Sequence, residues 1–459
     1  MRILMGIGAV VATAVLGGII WLNTSPLGRI YLPSGTGIVA KQTCSLAFVS
    51  GLDADRARAL YLDPLLGDVA GIVSTTVDYE NGEVTASALG FLYTQRAVHR
   101  EGLGCTLVHG DERFDRDATA PLSGQSDEMA LNVDAASAHF DMDAMNAAVD
   151  AAFADTAKNT LAVVVLHDGE LVAERYADGI SAQTPLHGWS MTKSVAATMA
   201  GVLTERGLVD IFASGQIPSL VAAGRPEITI DQLLRMTGGL AGYELNDGTD
   251  PNSDMLFTES DMAQFAATRD VIAAPGERWD YQSGNTVLAG EGLEEHMGED
   301  VVEEVQTLRE WLFEPLGMHH SVMEGDEAGT LMWSSYMYAS ARDWARLGQL
   351  YLDRGRAPDG TQIIPETWAD YVFERTPGSN DNYGSGFWMW DDEAPDDHFM
   401  MNGFQGQEGW IIPSEGLVVV RLGATNGWQT GGPELVSAVI AAKLPAAPRA
   451  GFDEAPQPG

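Results

Sequence analysis

The chain has 459 residues, 45% hydrophobic and 20% charged, which suits a globular protein with a large core and room for more than one domain. Its 65 acidic against 26 basic residues give a formal net charge of −39. That excess argues against nucleic acid as a partner, because phosphate binding needs clustered Lys and Arg, and it points to a heavily solvated surface.

Residues 3–22 are uncharged and mostly apolar behind Met1-Arg2, the length of a membrane span. Asn23-Thr24-Ser25-Pro26 then breaks the run without a small-x-small cleavage site. This favours a single-pass signal anchor over a cleaved signal peptide, and either one exports the remainder to the periplasmic or outer side. Cys44 and Cys105, the only cysteines, suit an exported chain in which one disulfide closes a loop of about 60 residues; two unpaired buried thiols are the alternative.

Residues 23–135 read as an accessory α+β module whose role the sequence does not reveal. Its expected elements are a strand over 45–49, a short helix over 53–61, and strands over 72–77 and 84–93 joined by an Asn81-Gly82 turn. The polar residues 111–128 read as a linker. From residue 136 the pattern changes: a helix over 142–154, a buried strand over 161–166, and a turn at His167-Asp168-Gly169 into a strand over 171–176. A mostly helical middle follows, then a hairpin from 410–413 to 417–422, a helix over 433–444 and a flexible Pro/Ala-rich tail over 447–459. Strands at both ends with helices between imply an α+β domain over 136–446. One sheet is assembled from distant segments, and a cleft lies between it and a helical lobe.

Within that domain, Ser190-Met-Thr-Lys193 opens a helix whose apolar positions Met191, Val195, Met199 and Val202 recur at helical spacing. Residues i and i+3 share a helix face, so the hydroxyl and the amine come within reach. A serine needs an adjacent base to attack an ester or amide, and a lysine kept out of water serves as one because desolvation disfavours its charge. The competing reading is a serine that caps the helix while the lysine reaches solvent. His319-His320 has no partner at zinc spacing, so no metal is expected.

These residues resemble the serine β-lactamase and penicillin-recognising superfamily, in its class C-like branch of esterases, D-aminopeptidases, DD-peptidases and 6-aminohexanoate-dimer hydrolases. Besides Ser190–Lys193, the resemblance is carried by four stretches. They are Ile228-Thr-Ile-Asp-Gln-Leu-Leu-Arg-Met-Thr-Gly-Gly-Leu240, Pro275-Gly-Glu-Arg-Trp-Asp-Tyr281-Gln-Ser283, the segment from Ser340 to Tyr351, and Gly403-Phe-Gln-Gly-Gln407. It implies a β-lactamase/transpeptidase-like fold and a serine hydrolase that forms an acyl-enzyme without a cofactor. Ser190 is then the nucleophile, with Lys193 and Tyr281 moving the proton. The backbone amides of Ser190 and Gln407 form the oxyanion hole. The cation of Lys193 is expected to pull the Tyr281 phenol down until it works as a base.

Trp189, Ser283, Phe404, Gln405 and Gly406 fall at substrate-binding positions, Gly406 allowing close backbone approach. Trp279 and Trp410 either line the pocket or pack in the core. Two departures from the family pattern stand out: Phe404 replaces its Lys or His, and Ser283 replaces its Asn. Both favour a small ester or amide with an uncharged acyl part over a DD-peptidase or β-lactamase substrate. A catalytically silent envelope binding protein is the alternative of another class.

Overall fold

The computed structural model describes residues 24–25, 27–122, 129–245, 248–390 and 394–445. The expected anchor at 3–22 and the tail at 447–459 lie outside the described residues. Among those described, no helix is long and apolar enough to cross a membrane.

The N-terminal region starts with helix α1 (Leu32–Cys44) and a four-stranded antiparallel meander, β1 (Val73–Asp78), β2 (Glu83–Ala88), β3 (Leu92–Arg100) and β4 (Gly104–Val108), in sequential order. The Asn81-Gly82 turn forms as expected: Gly82 takes φ +62° and the Asp78 carboxylate accepts from the Glu80 and Asn81 amides. Two expectations fail. The chain after Cys44 continues as a helical turn over Ser45–Val49 instead of a strand, since five apolar residues suit a buried helix end equally well. The single strand expected over 84–93 is split by a turn at Leu89-Gly90, where both residues have positive φ. The disulfide between Cys44 and Cys105 ties α1 to β4, with the two Cα atoms 6.0 Å apart.

The larger region begins with α2 (Met142–Ala154) and the hairpin β5 (Thr160–His167) and β6 (Glu170–Tyr176). Strand β7 (Leu186–His187) leads into α3 (Thr192–Glu205), and the helical lobe contains α4 (Pro251–Thr258) and α5 (Ser283–Glu294). The short strands β8 (Ser321–Met323) and β9 (Met337–Ala339) pair with β7 in the order β7-β9-β8, and α6 (Ala341–Leu352) follows. Strands β10 (Phe399–Gly403), β11 (Gln407–Ile412) and β12 (Leu417–Gly423), then α7 (Gly432–Ala441), complete the chain.

The main sheet runs β10-β11-β12-β5-β6, antiparallel throughout, so C-terminal strands sit beside N-terminal ones as expected. Alternate residues of each strand feed opposite cores. Val163, Val165 and Val419 meet α2 and α7 through Met145, Val149, Leu435 and Val439 on one face. Val164, Val418 and Val420 join the core of α3 and α6 on the other. Both faces are covered, which explains the unbroken apolar runs.

The N-terminal region does not stand apart from this body. Helix α1 lies between its own sheet and α4, and Val39, Leu62, Val84 and Leu107 belong to the same continuous core as Val195 and Trp333. A Cβ on Gly37 would fall 2.2 Å from the Phe257 carbonyl oxygen, so only glycine permits this approach of α1 to α4. The buried ammonium of Lys41 on α1 bonds Glu324, whose Oε1 also accepts from Ser45 Oγ at 2.8 Å and the Cys105 amide at 2.7 Å.

Removing one member of such a buried pair leaves an uncompensated charge. Lys41→Met is therefore expected to cost about 3–5 kcal/mol in urea unfolding, and adding Glu324→Gln should recover most of the loss. Equal losses in the single and double variants would assign the effect to packing instead of charge.

Candidate active site

The segment from β7 to α3 is built around close approaches. Gly188 passes Trp344 so tightly that a Cβ there would lie 2.3 Å from the indole. Trp189 takes φ +49°, a strained value for a bulky residue, and a single 3-10 turn over Trp189–Met191 presents Ser190 at the start of α3. His187 anchors the turn from below. Gln42 on α1 donates to its Nδ1 at 3.0 Å, so its protonated Nε2 donates to the Ser335 carbonyl at 2.7 Å. Burial lowers its pKa to about 3, keeping the ring neutral.

Lys193 is 1% exposed on a helix buried on all sides. Its ammonium donates to Ser190 Oγ at 3.0 Å, Ser283 Oγ at 2.9 Å and the Ser334 carbonyl at 3.2 Å. Desolvation lowers its pKa, and the Glu244 carboxylate, with Oε1 3.9 Å away, partly opposes that shift. Tyr281 completes the cluster, lining the cleft beside Ser190 and Trp388. Trp388, Tyr383 and Trp279 pack around its ring.

The expected effect of Lys193 on Tyr281 is not found. Burial, the Glu244 charge and Tyr383 push the phenol well above its ordinary pKa. Lys193 sits over the ring face, 5.0 Å from its centroid. The two shifts therefore run in opposite directions, Lys193 down and Tyr281 up, and burial is the largest cause of each.

Several other assignments change. Ser283 holds Lys193 and is 1% exposed, which makes it a positioning residue instead of a substrate contact. Gly406 lines the larger arm of the cleft, and its φ of +76° with Arg421 directly beneath it adds conformation and packing as reasons for glycine. Gln405 braces the turn, accepting from Trp189 Nε1 at 3.2 Å and donating to the Tyr61 carbonyl at 3.0 Å. The Gln407 side chain is buried and donates to the Gly423 carbonyl at 2.6 Å, which leaves only its backbone amide for an oxyanion. Gly403, its partner across the β10–β11 hairpin, abuts the turn that carries Ser190: a Cβ there would lie 3.2 Å from the Ser190 nitrogen. Trp279 stands behind Tyr281, while Trp410 faces the cleft.

Ser190 lies where two arms of the cleft meet, and Leu65, Glu244 and Phe404 line both. One arm is open, about 640 Å³, with Tyr281, Trp388 and Trp410 on its walls. The other is smaller, about 100 Å³, and continues between α1 and α4. Glu244 and the N-terminal wall carry no motif at all. Among the described residues, no group of three or more His, Cys, Asp or Glu is arranged to hold a metal ion.

Residues 145–442 match the model of the Beta-lactamase family, well over half of the chain. The chain belongs to the Beta-lactamase family. As such it is an enzyme, a serine hydrolase with the β-lactamase/transpeptidase-like fold. It is 25% identical over 321 residues to penicillin-binding protein 4 of Amycolatopsis lactamdurans, covering 60% of this chain and 80% of that protein. It is also 25% identical over 291 residues to the 6-aminohexanoate-dimer hydrolase of Paenarthrobacter ureafaciens, covering 57% and 72% respectively. A family VIII carboxylesterase shares the fold at a TM-score of 0.52 and 19% identity, over 65% of this chain and 96% of that one. Residues 27–122, with α1 and the meander, fall outside the family match.

The pair geometry sets a pH dependence. Glu244→Gln removes the one charge that holds the Lys193 pKa up, so the free amine forms at lower pH. With a neutral ester, the rising limb of kcat/KM against pH is expected to move to lower pH in Glu244→Gln and to stay in place in Glu244→Asp. A limb that moves upward would remove Lys193 as the titrating base.

Proposed function

We propose that this hydrolase cleaves carboxylic esters, and amides of the same acyl type, through a Ser190 acyl-enzyme. The observation that carries the reading is the buried Lys193 amine, bonded to Ser190 Oγ at 3.0 Å, with Tyr281 beside Ser190 in the cleft. Lys193 as the free amine takes the hydroxyl proton while Oγ bonds to the carbonyl carbon. The bond to the leaving group breaks as the Tyr281 phenol delivers its proton, which Lys193 replaces. Water, deprotonated by the same pair, then cleaves the acyl-Ser190 ester and releases the carboxylic acid. The amides of Ser190 and Gln407 are the proposed oxyanion donors.

The charge pattern of the cleft supports an uncharged acyl part. Phe404 offers no cation, and the Glu244 side chain, 7% exposed at the junction of the arms, repels a substrate carboxylate. Relatives named as carboxylesterase and 6-aminohexanoate-dimer hydrolase support the same class. The Cys44–Cys105 disulfide supports placing the enzyme outside the cytoplasm. A membrane-impermeant fluorophosphonate should therefore label it in intact cells.

With purified protein, a fluorophosphonate is expected to label Ser190, and Ser190→Ala to abolish labelling. Lys193→Met should lower kcat on p-nitrophenyl esters by about 10²–10⁴-fold, and nitrocefin should turn over far more slowly than the esters. Labelling of another residue in the wild type would overturn the assignment.

A further inference from the structure

One wall of the smaller arm of the cleft is built by residues outside the family match, and the facing wall by residues within it. Ile38 on α1 and Leu65 and Leu66 from the short helix Asp63–Leu66 form one wall. Leu256 and Phe257 on α4 face them, and Tyr31 lies on the N-terminal side. Gly37 lets α1 sit directly against the α4 backbone, while Gly35 contributes no side chain and so leaves the lumen open.

Which part of a substrate this arm takes follows from Tyr281. The proton must reach the leaving group, and Tyr281 lines the larger arm and not the smaller one. The leaving group therefore occupies the larger arm, and the acyl chain extends from Ser190 the opposite way, under Phe404 toward α1. We propose that the N-terminal module forms one wall of the acyl-binding pocket of this enzyme and so selects esters of straight-chain aliphatic acids of short to medium length. The inference rests on Ser190 being the nucleophile.

Size and lining set the chemical class. The cavity of about 100 Å³ is smaller than the roughly 150 Å³ that takes a benzene ring, so it holds about four carbons beyond the carbonyl. Its lining is mainly aliphatic and aromatic, with the small polar side chains of Ser34, Asn252, Ser253 and Ser335 among them, and the one carboxylate, Glu244, stands at the mouth beside Lys193. Burying each methylene there stabilises the complex by about 0.8 kcal/mol, close to a fourfold gain per carbon. The gain ends abruptly where α1 meets α4. A terminal carboxylate finds no cation among the lining residues.

The test is the chain-length profile of kcat/KM on p-nitrophenyl esters from acetate to laurate. In the wild type it should rise to an optimum near five or six acyl carbons and drop at least tenfold by laurate. Gly35→Leu fills the lumen from a helical position where a Cβ meets nothing closer than 3.8 Å, and leucine favours a helix more than glycine does. It should move the optimum to shorter chains, whereas Ile38→Ala should move it to longer ones. Opposite shifts cannot come from general unfolding, and fluorophosphonate labelling of Ser190 confirms in each variant that the nucleophile is intact. A flat wild-type profile, or an optimum that neither variant moves while labelling persists, would overturn the acyl-pocket proposal. Loss of labelling in the wild type would instead overturn the nucleophile assignment beneath it.

Discussion

An amine at 1% exposure must have its hydrogens accepted and its charge tolerated, and this site is organised around meeting that constraint for Lys193. Its three N–H groups go to three parts of the chain: Ser190 one turn back, Ser283 at the start of α5, and the Ser334 carbonyl ahead of β9. The sheet side and the helical lobe must therefore dock before the amine is satisfied. Burial favours the neutral form, and Glu244 restrains that tendency from 3.9 Å. Burial, reinforced by the same carboxylate, raises the Tyr281 pKa, so the two neighbouring groups shift in opposite directions.

The N-terminal module extends this arrangement instead of decorating it. Helix α1 is held at one end by the Cys44–Cys105 disulfide and along its side by the Lys41–Glu324 pair. Through Gln42, His187 and Ser335 it braces the turn that presents the nucleophile. The same helix walls the smaller arm of the cleft. Stability of the module and shape of the site are consequently linked through one element.

Much of this was legible in the chain. Residues 142–154, the β5–β6 hairpin and the β11–β12 hairpin were readable because their periodicity is local and their turns are marked by Gly or Pro. The Ser190–Lys193 pairing was readable because i, i+3 spacing on a helix is itself geometry. Ser283 was visible as a departure from a pattern, but its actual role depends on where the α5 N-terminus lands. Glu244 escaped notice because an acidic residue in an acidic loop of a chain with net charge −39 carries no local signal.

The sequence by itself determined the fold class, the export-compatible cysteine pair and the nucleophile with its neighbouring amine, since each rests on short-range spacing or composition. Only the tertiary structure decided that Glu244 faces Lys193, that the Lys193 and Tyr281 pKa values move in opposite directions, and that the N-terminal module walls the cleft. Those outcomes depend on desolvation and on contacts between residues far apart in sequence, and neither leaves a periodic trace in the chain.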